Sequence, residues 1–149
     1  MEKNKKAVEL FKQGYSCAQA VAGAFSEEMG ISQEKATALS ACFGAGICGT
    51  RQICGAVSGG LMALGLIKNY AFAEQKATAY AEGKKLIEDF EKEFGTTVCF
   101  DLLTTAKVKF AATPMARDEE YYKVRPCAVY VAYVAEWLEE YLKKTPVTE

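Results

Sequence analysis

The sequence predicts an all-α, single-domain protein in which residues 1–149 form a bundle of about six to eight helices around one central, apolar, glycine-rich helix. Apolar residues recur at helical spacing through most of the chain, and no segment shows the alternation typical of a half-buried strand. Serine, proline and glycine stand where helices would begin and end. The length and a hydrophobic fraction of 50% suit one core, without a linker between domains.

The first three helices are predicted from capping residues and apolar stripes. An amphipathic helix covers roughly residues 3–13. Ser16 caps the second helix, with Gln19 completing a capping box, and Gly30 closes it. Ser32 begins the third helix. The residues expected to face inward on that helix are Ala36, Leu39 and Phe43.

The middle of the chain predicts a buried helix that follows a glycine-rich loop over residues 44–52. This fourth helix begins near Ile53 and is apolar on nearly every face, which is typical of a helix surrounded by others. A long fifth helix covers about 70–94, and a short sixth begins near Thr97. The inward stripe expected on the fifth helix is Ala73, Ala77, Tyr80, Gly83, Ile87, Phe90 and Phe94.

The last part of the chain is predicted to be irregular before it ends in a helix. Residues 106–117 lack a helical pattern, and residues 108–110 are compatible with an extended segment. A short helical turn is predicted over 118–123. The last helix begins at Pro126, since proline is favoured at the first helical position, and is expected to fray from Lys143. Its predicted inward residues are Cys127, Val131, Val134, Leu138 and Tyr141.

The charge and the absence of histidine exclude several functions. A net charge of −1 gives no electrostatic reason to bind nucleic acid or an anionic membrane. The longest apolar stretch, 53–67, is interrupted by glycines and too short to insert in a bilayer, so we expect a soluble, cytoplasmic protein. Without histidine the chain has no Ser-His-Asp or Cys-His catalysis and no imidazole ligand for zinc or haem, so no haem is expected.

Four of the six cysteines stand where helices are predicted to begin: Cys17, Cys54, Cys99 and Cys127. The positive end of a helix dipole favours a thiolate, which is both a nucleophile and a metal ligand. Alternate helices of an up-and-down bundle point the same way, so these sulfurs are expected at one end of the molecule. The alternative for Cys17 and Cys127 is that each merely fills the core as a small apolar residue.

Three chemistries use clustered thiols: a dithiol–disulfide couple, a tetrathiolate zinc site and an iron–sulfur cluster. The absence of a Cys-x-x-Cys pair counts against a zinc ribbon or a ferredoxin. We expect Cys42 to lie in the core at the end of the third helix. Cys48, in the glycine loop, is an auxiliary candidate for a resolving thiol, and Arg51 is a second auxiliary residue that would favour a thiolate at Cys48 or Cys54.

The cysteine pattern resembles a known family. Residues 54–59 read Cys-Gly-Ala-Val-Ser-Gly, a CGAxxG signature, and the apolar run 60–66 follows it. With Cys17 before this motif and Cys99 and Cys127 after it, most of the chain is similar to the C_GCAxxG_C_C family, whose name assigns it a redox activity. The resemblance implies that the four cysteines of this pattern are functional. A related domain occurs in split-Soret cytochromes, but this chain lacks their haem-attachment motif.

The sequence therefore predicts a thiol-based redox or electron-transfer protein, similar to a thiol–disulfide oxidoreductase, that acts with an unknown redox partner. Cys54 is expected to be the main activated thiolate, with Cys17, Cys99 and Cys127 as its partners. The alternative is a non-catalytic protein that binds a metal or an iron–sulfur cluster through the same four thiolates. A third class is a helical interaction module whose cysteines only pack, and the apolar last helix is compatible with a homodimer.

Overall fold

The computed structural model describes residues 2–105 and 126–146, and it confirms the all-α class. Within these residues no strand is present, although an isolated antiparallel bridge joins Ile53 to Val98. None of the described helices combines the length and apolarity needed to cross a membrane. The helices, with two intervening 3-10 turns at Ala41–Phe43 and Ala73–Gln75, are α1 (Lys3–Lys12), α2 (Cys17–Ala24), α3 (Ser26–Met29), α4 (Gln33–Leu39), α5 (Gly55–Ile67), α6 (Lys76–Phe94), α7 (Cys99–Thr105) and α8 (Cys127–Lys144).

The capping residues predicted for the second and third helices are confirmed. The Ser16 hydroxyl accepts a hydrogen bond from the Gln19 backbone N–H (3.3 Å), and the Gln19 side chain accepts one from the Ser16 N–H (3.1 Å). The Ser32 hydroxyl accepts a hydrogen bond from the Lys35 N–H (3.1 Å). The second helix is shorter than expected, because the backbone departs from helical geometry at Phe25 and divides it into α2 and α3.

Helices α2 and α5 occupy the centre of the bundle. Helix α2 packs against α1, α4, α5 and α8, so six of its eight residues are buried. The first turns of α5 are buried on all sides, as the uniform apolar pattern predicts. Residues of α1, α6 and α8 complete the core, whose largest fully buried side chains are Phe11, Phe25, Phe90, Leu86, Leu103 and Leu138.

Two predicted inward stripes are wrong in part. Leu39 is 57% exposed, because α4 ends there and the chain turns into a 3-10 segment. In the predicted fifth helix, Ala73 lies in the preceding 3-10 turn, and Ala73, Ala77 and Tyr80 are exposed to solvent. Gly83, Leu86 and Phe90 of α6 are buried, because the helix packs on its neighbours from Gly83 onward, with Gly83 against Leu61 of α5 and Phe90 against Tyr130 of α8.

The last helix begins at Cys127, one residue later than expected, with Pro126 as its N-cap. Its predicted inward residues are buried except Tyr141, which is half-buried against the core. The helix continues to Lys144 and so does not fray at Lys143. The predictions for 106–117 and 118–123 lie outside the described residues.

Candidate functional site

The CGAxxG motif is a close contact between α5 and α2. A methyl group built on Gly59 would lie 2.5 Å from the carbonyl oxygen of Ala18, and one built on Gly55 would lie 3.2 Å from Cβ of Cys17. These two glycines stand four residues apart and therefore share one face of α5. Their missing side chains let the two backbones approach, and this approach places Cys54 beside Cys17.

The bridge between Ile53 and Val98 places Cys99 beside the start of α5. The Cys54 N–H donates to the Thr97 carbonyl (2.7 Å), and the Cys99 N–H donates to the Gln52 carbonyl (2.6 Å). Cys54 and Cys99 each follow a bridging residue. They therefore point to the same side of the paired segments.

Helix α8 supplies the fourth thiol. Cys127 acts on the pKa of Cys17 as a hydrogen-bonding neighbour, and Cys54 and Cys99 are close enough to act on it electrostatically. The structure thus brings together the four cysteines of the predicted site, which come from α2, α5, α7 and α8. Cys54 and Cys127 are buried, whereas Cys17 and Cys99 are half-buried.

The electrostatics of this four-thiol centre are opposite to the expected activation. The hydrogen bond with Cys127, burial and the neighbouring thiols raise the pKa of Cys17 well above its usual value. Burial raises the pKa of Cys54 to about 12. For Cys17 and Cys54, the expectation that the helix start holds the thiol as a thiolate is therefore wrong for the reduced protein, because desolvation outweighs the helix dipole.

The helix start nevertheless acts on Cys54 in the expected direction. The backbone N–H groups of Ala56 and Val57, in the first turn of α5, lie near the sulfur and lower its pKa, without forming a regular capping hydrogen bond. Burial is the larger effect. If Cys54 loses its proton, the two N–H dipoles already point towards the sulfur and stabilise its negative charge.

Arg51 contacts the sulfur of Cys99, which was not predicted from the sequence. Its Nη1 lies 3.8 Å from Sγ of Cys99, whereas a role at Cys48 or Cys54 was expected. The Arg51 carbonyl accepts a hydrogen bond from the Phe100 N–H (3.1 Å), which ties the end of the loop to the start of α7. A guanidinium at this position favours negative charge on Cys99.

Tyr130 also belongs to the site, although it was not among the residues predicted from the sequence. Burial and the nearby thiols of α5, α7 and α8 raise the pKa of its hydroxyl to about 12. Its ring centroid lies 4.8 Å from that of Phe94. The available signal was its spacing: Tyr130 follows Cys127 by three residues and so lies on the same helix face.

Cys42 and Cys48 lie outside the four-thiol centre. Both are exposed, so the expectation that Cys42 is a core residue is wrong; the 3-10 turn at the end of α4 turns it outward. The loop after it has positive φ at each of residues 45–49, including the non-glycine residues Ala45, Ile47 and Cys48. Left-handed backbone costs roughly 1–2 kcal/mol for each such residue. The loop is therefore strained.

All six cysteines are free thiols in the structure. Within residues 2–105 and 126–146, no group of three or more cysteine, aspartate or glutamate side chains has an arrangement that could hold a metal ion.

The fold and the site define a small helical protein with a buried, four-cysteine thiol centre at its core. The family described as "Putative redox-active protein (C_GCAxxG_C_C)" matches residues 15–141, and the chain belongs to this family. The family description thus names a redox-active class of protein. No curated protein and no solved structure matches the chain.

Proposed function

We propose that the protein carries out dithiol–disulfide redox chemistry, with Cys17 and Cys127 as the pair that forms the disulfide. The observation that supports the proposal is that Cys127 has the largest effect of any neighbour on the pKa of Cys17, which indicates that the two side chains are adjacent in the four-thiol centre. A disulfide requires two sulfurs whose β-carbons can approach closely, so an adjacent pair is best placed to bond. The pair replaces Cys54 as the expected reactive residue, because Cys54 is buried, whereas the half-buried Cys17 can be reached by a partner.

The reaction is an exchange with a disulfide of a partner molecule. Cys17, the half-buried member of the pair, loses its proton and attacks one sulfur of the partner, whose other sulfur leaves as a thiolate and takes up a proton. The buried Cys127 then attacks Cys17, releases the second partner thiol and completes the internal disulfide. Two thiols are oxidised with loss of two electrons and two protons, and one partner disulfide is reduced to two thiols.

The raised pKa of Cys17 explains the resting state of the pair. A thiol that stays neutral at neutral pH exchanges slowly, because only the thiolate attacks. We infer that the centre stores reducing equivalents until a partner approaches Cys17. Cys54 and Cys99 complete the four-thiol centre around the pair.

Trypsin provides a direct test. It places Cys17 alone in peptide 13–35 and Cys127 alone in peptide 124–143, since cleavage does not occur before Pro126. After oxidation with glutathione disulfide, acid quenching and alkylation, we expect these two peptides to be joined. Cys127→Ser should abolish the link, and Cys42→Ser, at an exposed position outside the centre, should leave it. A chain in which both peptides stay alkylated, or are joined to other partners, would contradict the proposal.

A second candidate function is binding of zinc or an iron–sulfur cluster through Cys17, Cys54, Cys99 and Cys127. It is favoured by the convergence of four sulfurs, a donor set that suits both groups, and by the N–H groups near Cys54. Binding would require the four thiols to lose their protons and to rearrange, since their present arrangement is not one that could hold a metal ion. Metal analysis and the visible spectrum of protein purified without air would test it: stoichiometric metal lost in Cys54→Ser supports binding, and protein without metal contradicts it.

A further inference from the structure

Of the two exposed cysteines outside the four-thiol centre, Cys48 is hydrogen-bonded to the backbone of Cys42. The backbone carbonyl of Cys42 accepts two hydrogen bonds from Cys48, one from its N–H (2.8 Å) and one from its thiol (3.2 Å). This carbonyl carbon is bonded directly to the Cα that carries the Cys42 side chain. The sulfur of Cys48 therefore lies beside the backbone of Cys42, and rotation of the Cys42 side chain is the main movement needed to bring the sulfurs together.

The loop between these cysteines is fixed at two points. At the first, a methyl group on Gly44 would lie 2.5 Å from Cβ of Ser16, so the loop is in close contact with the N-cap of α2. Later in the loop, Gly46 is packed against residues 51 and 52, and its carbonyl accepts a hydrogen bond from the Gln52 N–H (2.8 Å). These contacts hold the left-handed backbone and, with it, the spacing of Cys42 and Cys48.

We propose that Cys42 and Cys48 form a second dithiol–disulfide couple, on the surface, that exchanges with small-molecule disulfides of the glutathione type. The inference does not depend on the function proposed for the buried centre. It uses neither buried sulfur, and both thiols face solvent, where a dissolved disulfide reaches them directly.

The exchange balances in atoms and electrons. One of the two thiols loses its proton and attacks a sulfur of the small-molecule disulfide, whose other sulfur leaves and is protonated. The second thiol attacks the mixed disulfide, forms the Cys42–Cys48 bond and releases the second small thiol. The protein loses two electrons and two protons, and the small disulfide becomes two thiols.

Because the second thiol is already near the first, we expect the internal disulfide to accumulate in preference to the mixed disulfide. The second attack is intramolecular, with an effective concentration on the order of millimolar for a short connection. With reduced glutathione at about 0.1 mM, we expect the internal disulfide to exceed the mixed disulfide about tenfold, because the second protein thiol competes with reduced glutathione for the mixed disulfide.

Peptide mapping of the full chain tests the proposal without any substitution. Trypsin releases peptide 36–51, which contains Cys42 and Cys48 and no other cysteine. After oxidation with glutathione disulfide, acid quenching and alkylation, we expect this peptide to be unalkylated and lighter by two hydrogens than its reduced form. Recovery of a doubly alkylated peptide, or of one that carries glutathione beside an alkylated thiol, would overturn the proposal.

Two variants separate this couple from the buried one. Cys127→Ser should leave the internal disulfide of peptide 36–51 unchanged, whatever happens to Cys17. Cys48→Ser should convert the product at Cys42 into the mixed disulfide with glutathione. If the disulfide in 36–51 disappears in Cys127→Ser, the surface couple is not independent and the proposal is wrong.

Discussion

The backbone of Gly59 in α5 lies against the backbone of Ala18 in α2, at a distance that leaves no room for a side chain. A methyl group at residue 59 would be 2.5 Å from the Ala18 carbonyl oxygen. This contact, with Gly55 one turn earlier, sets the separation of the two helices whose first residues flank the thiol centre. The glycines of the motif thus have a structural role that is separate from the chemistry of the cysteine.

Substitution of Gly59 tests this contact. Gly59→Ala should destabilise the protein by about 1–3 kcal/mol, because the backbone of α2 must move away. Gly65→Ala in the same helix is the matched control, since a methyl group at Gly65 meets no atom within 4 Å. That change should stabilise the protein by about 0.5–1 kcal/mol, because alanine is the better helix former. Denaturant unfolding measures both; equal effects would contradict the close-contact explanation.

The raised pKa of Cys54 predicts slow alkylation. A rise from 9.0 to about 12 lowers the thiolate fraction at pH 8 about 1,000-fold. The rate of reaction with iodoacetamide should therefore be lower by at least that factor than for the isolated peptide 52–68, and should keep rising above pH 9. The measurement is alkylation of that peptide by mass spectrometry as a function of pH. A rate that levels off near pH 9 would show an ordinary thiol.

The same shift predicts the direction of alkaline destabilisation. The folded-state pKa of Cys54 lies above its unfolded value, so the folded protein binds the proton more tightly. The stability that this group contributes is complete below about pH 9 and is lost as the pH rises towards 12. Cys54→Ala should therefore unfold with a weaker dependence on pH in this window than the unsubstituted protein does.

The contact of Arg51 with Cys99 predicts a charge effect on reactivity. Arg51→Gln should slow alkylation of Cys99 about three- to tenfold at low ionic strength, because the neutral amide does not stabilise a thiolate. Arg51→Lys keeps the charge and should recover part of the rate. Tryptic digestion reports Cys99 separately from the other cysteines. Equal rates in all three proteins, or rates independent of salt, would exclude an electrostatic role.

Glu82 predicts an acid-sensitive contribution to stability. Burial opposes its charge, but hydrogen bonds donated by Tyr70 and Tyr141 and the charge of Lys68 lower the pKa of its carboxyl overall. The contribution is therefore present above the unfolded value of 4.5 and is lost as the pH falls through the lower folded value. Glu82→Gln should cost about 1–2 kcal/mol at neutral pH, and less in acid.

The control for Glu82 is on the same helix. Glu88 is an exposed residue whose carboxylate lies 3.9 Å from Nζ of Lys84. Exposed pairs of this kind contribute little, so Glu88→Gln should change the free energy of unfolding by less than about 0.5 kcal/mol at every pH. A Glu82→Gln effect that does not diminish in acid would contradict the role of the charge.

The strained loop predicts an unusual response to glycine. Cys48 has a φ of 53°, a conformation that glycine adopts without steric cost. The free energy of unfolding of Cys48→Gly should therefore be about 1 kcal/mol higher than that of Cys48→Ala, although glycine normally destabilises a folded protein. Both variants lose the same thiol, so the difference isolates the backbone. A less stable Cys48→Gly would mean that the left-handed conformation carries no strain.

Much of the fold could be predicted from local sequence. The capping residues Ser16 and Ser32 form the hydrogen bonds expected of them, because capping depends on neighbours three residues away in the chain. The buried character of α5 also followed from its composition. The outward turn of Leu39 and Tyr80 did not, because an apolar residue on a helical stripe is buried only where another element covers it.

The sequence by itself determined that the chain is helical, that four cysteines stand at helix starts and that a buried, glycine-rich helix follows one of them. Only the tertiary structure decided which sulfurs meet, that Arg51 lies on Cys99, and that the thiols of Cys17 and Cys54 are neutral. The physical reason is the separation along the chain over which each interaction acts. Helix formation and the helix dipole act within a few residues along the chain. Desolvation and contacts between thiols depend on segments that are distant in sequence, and here desolvation is the stronger effect.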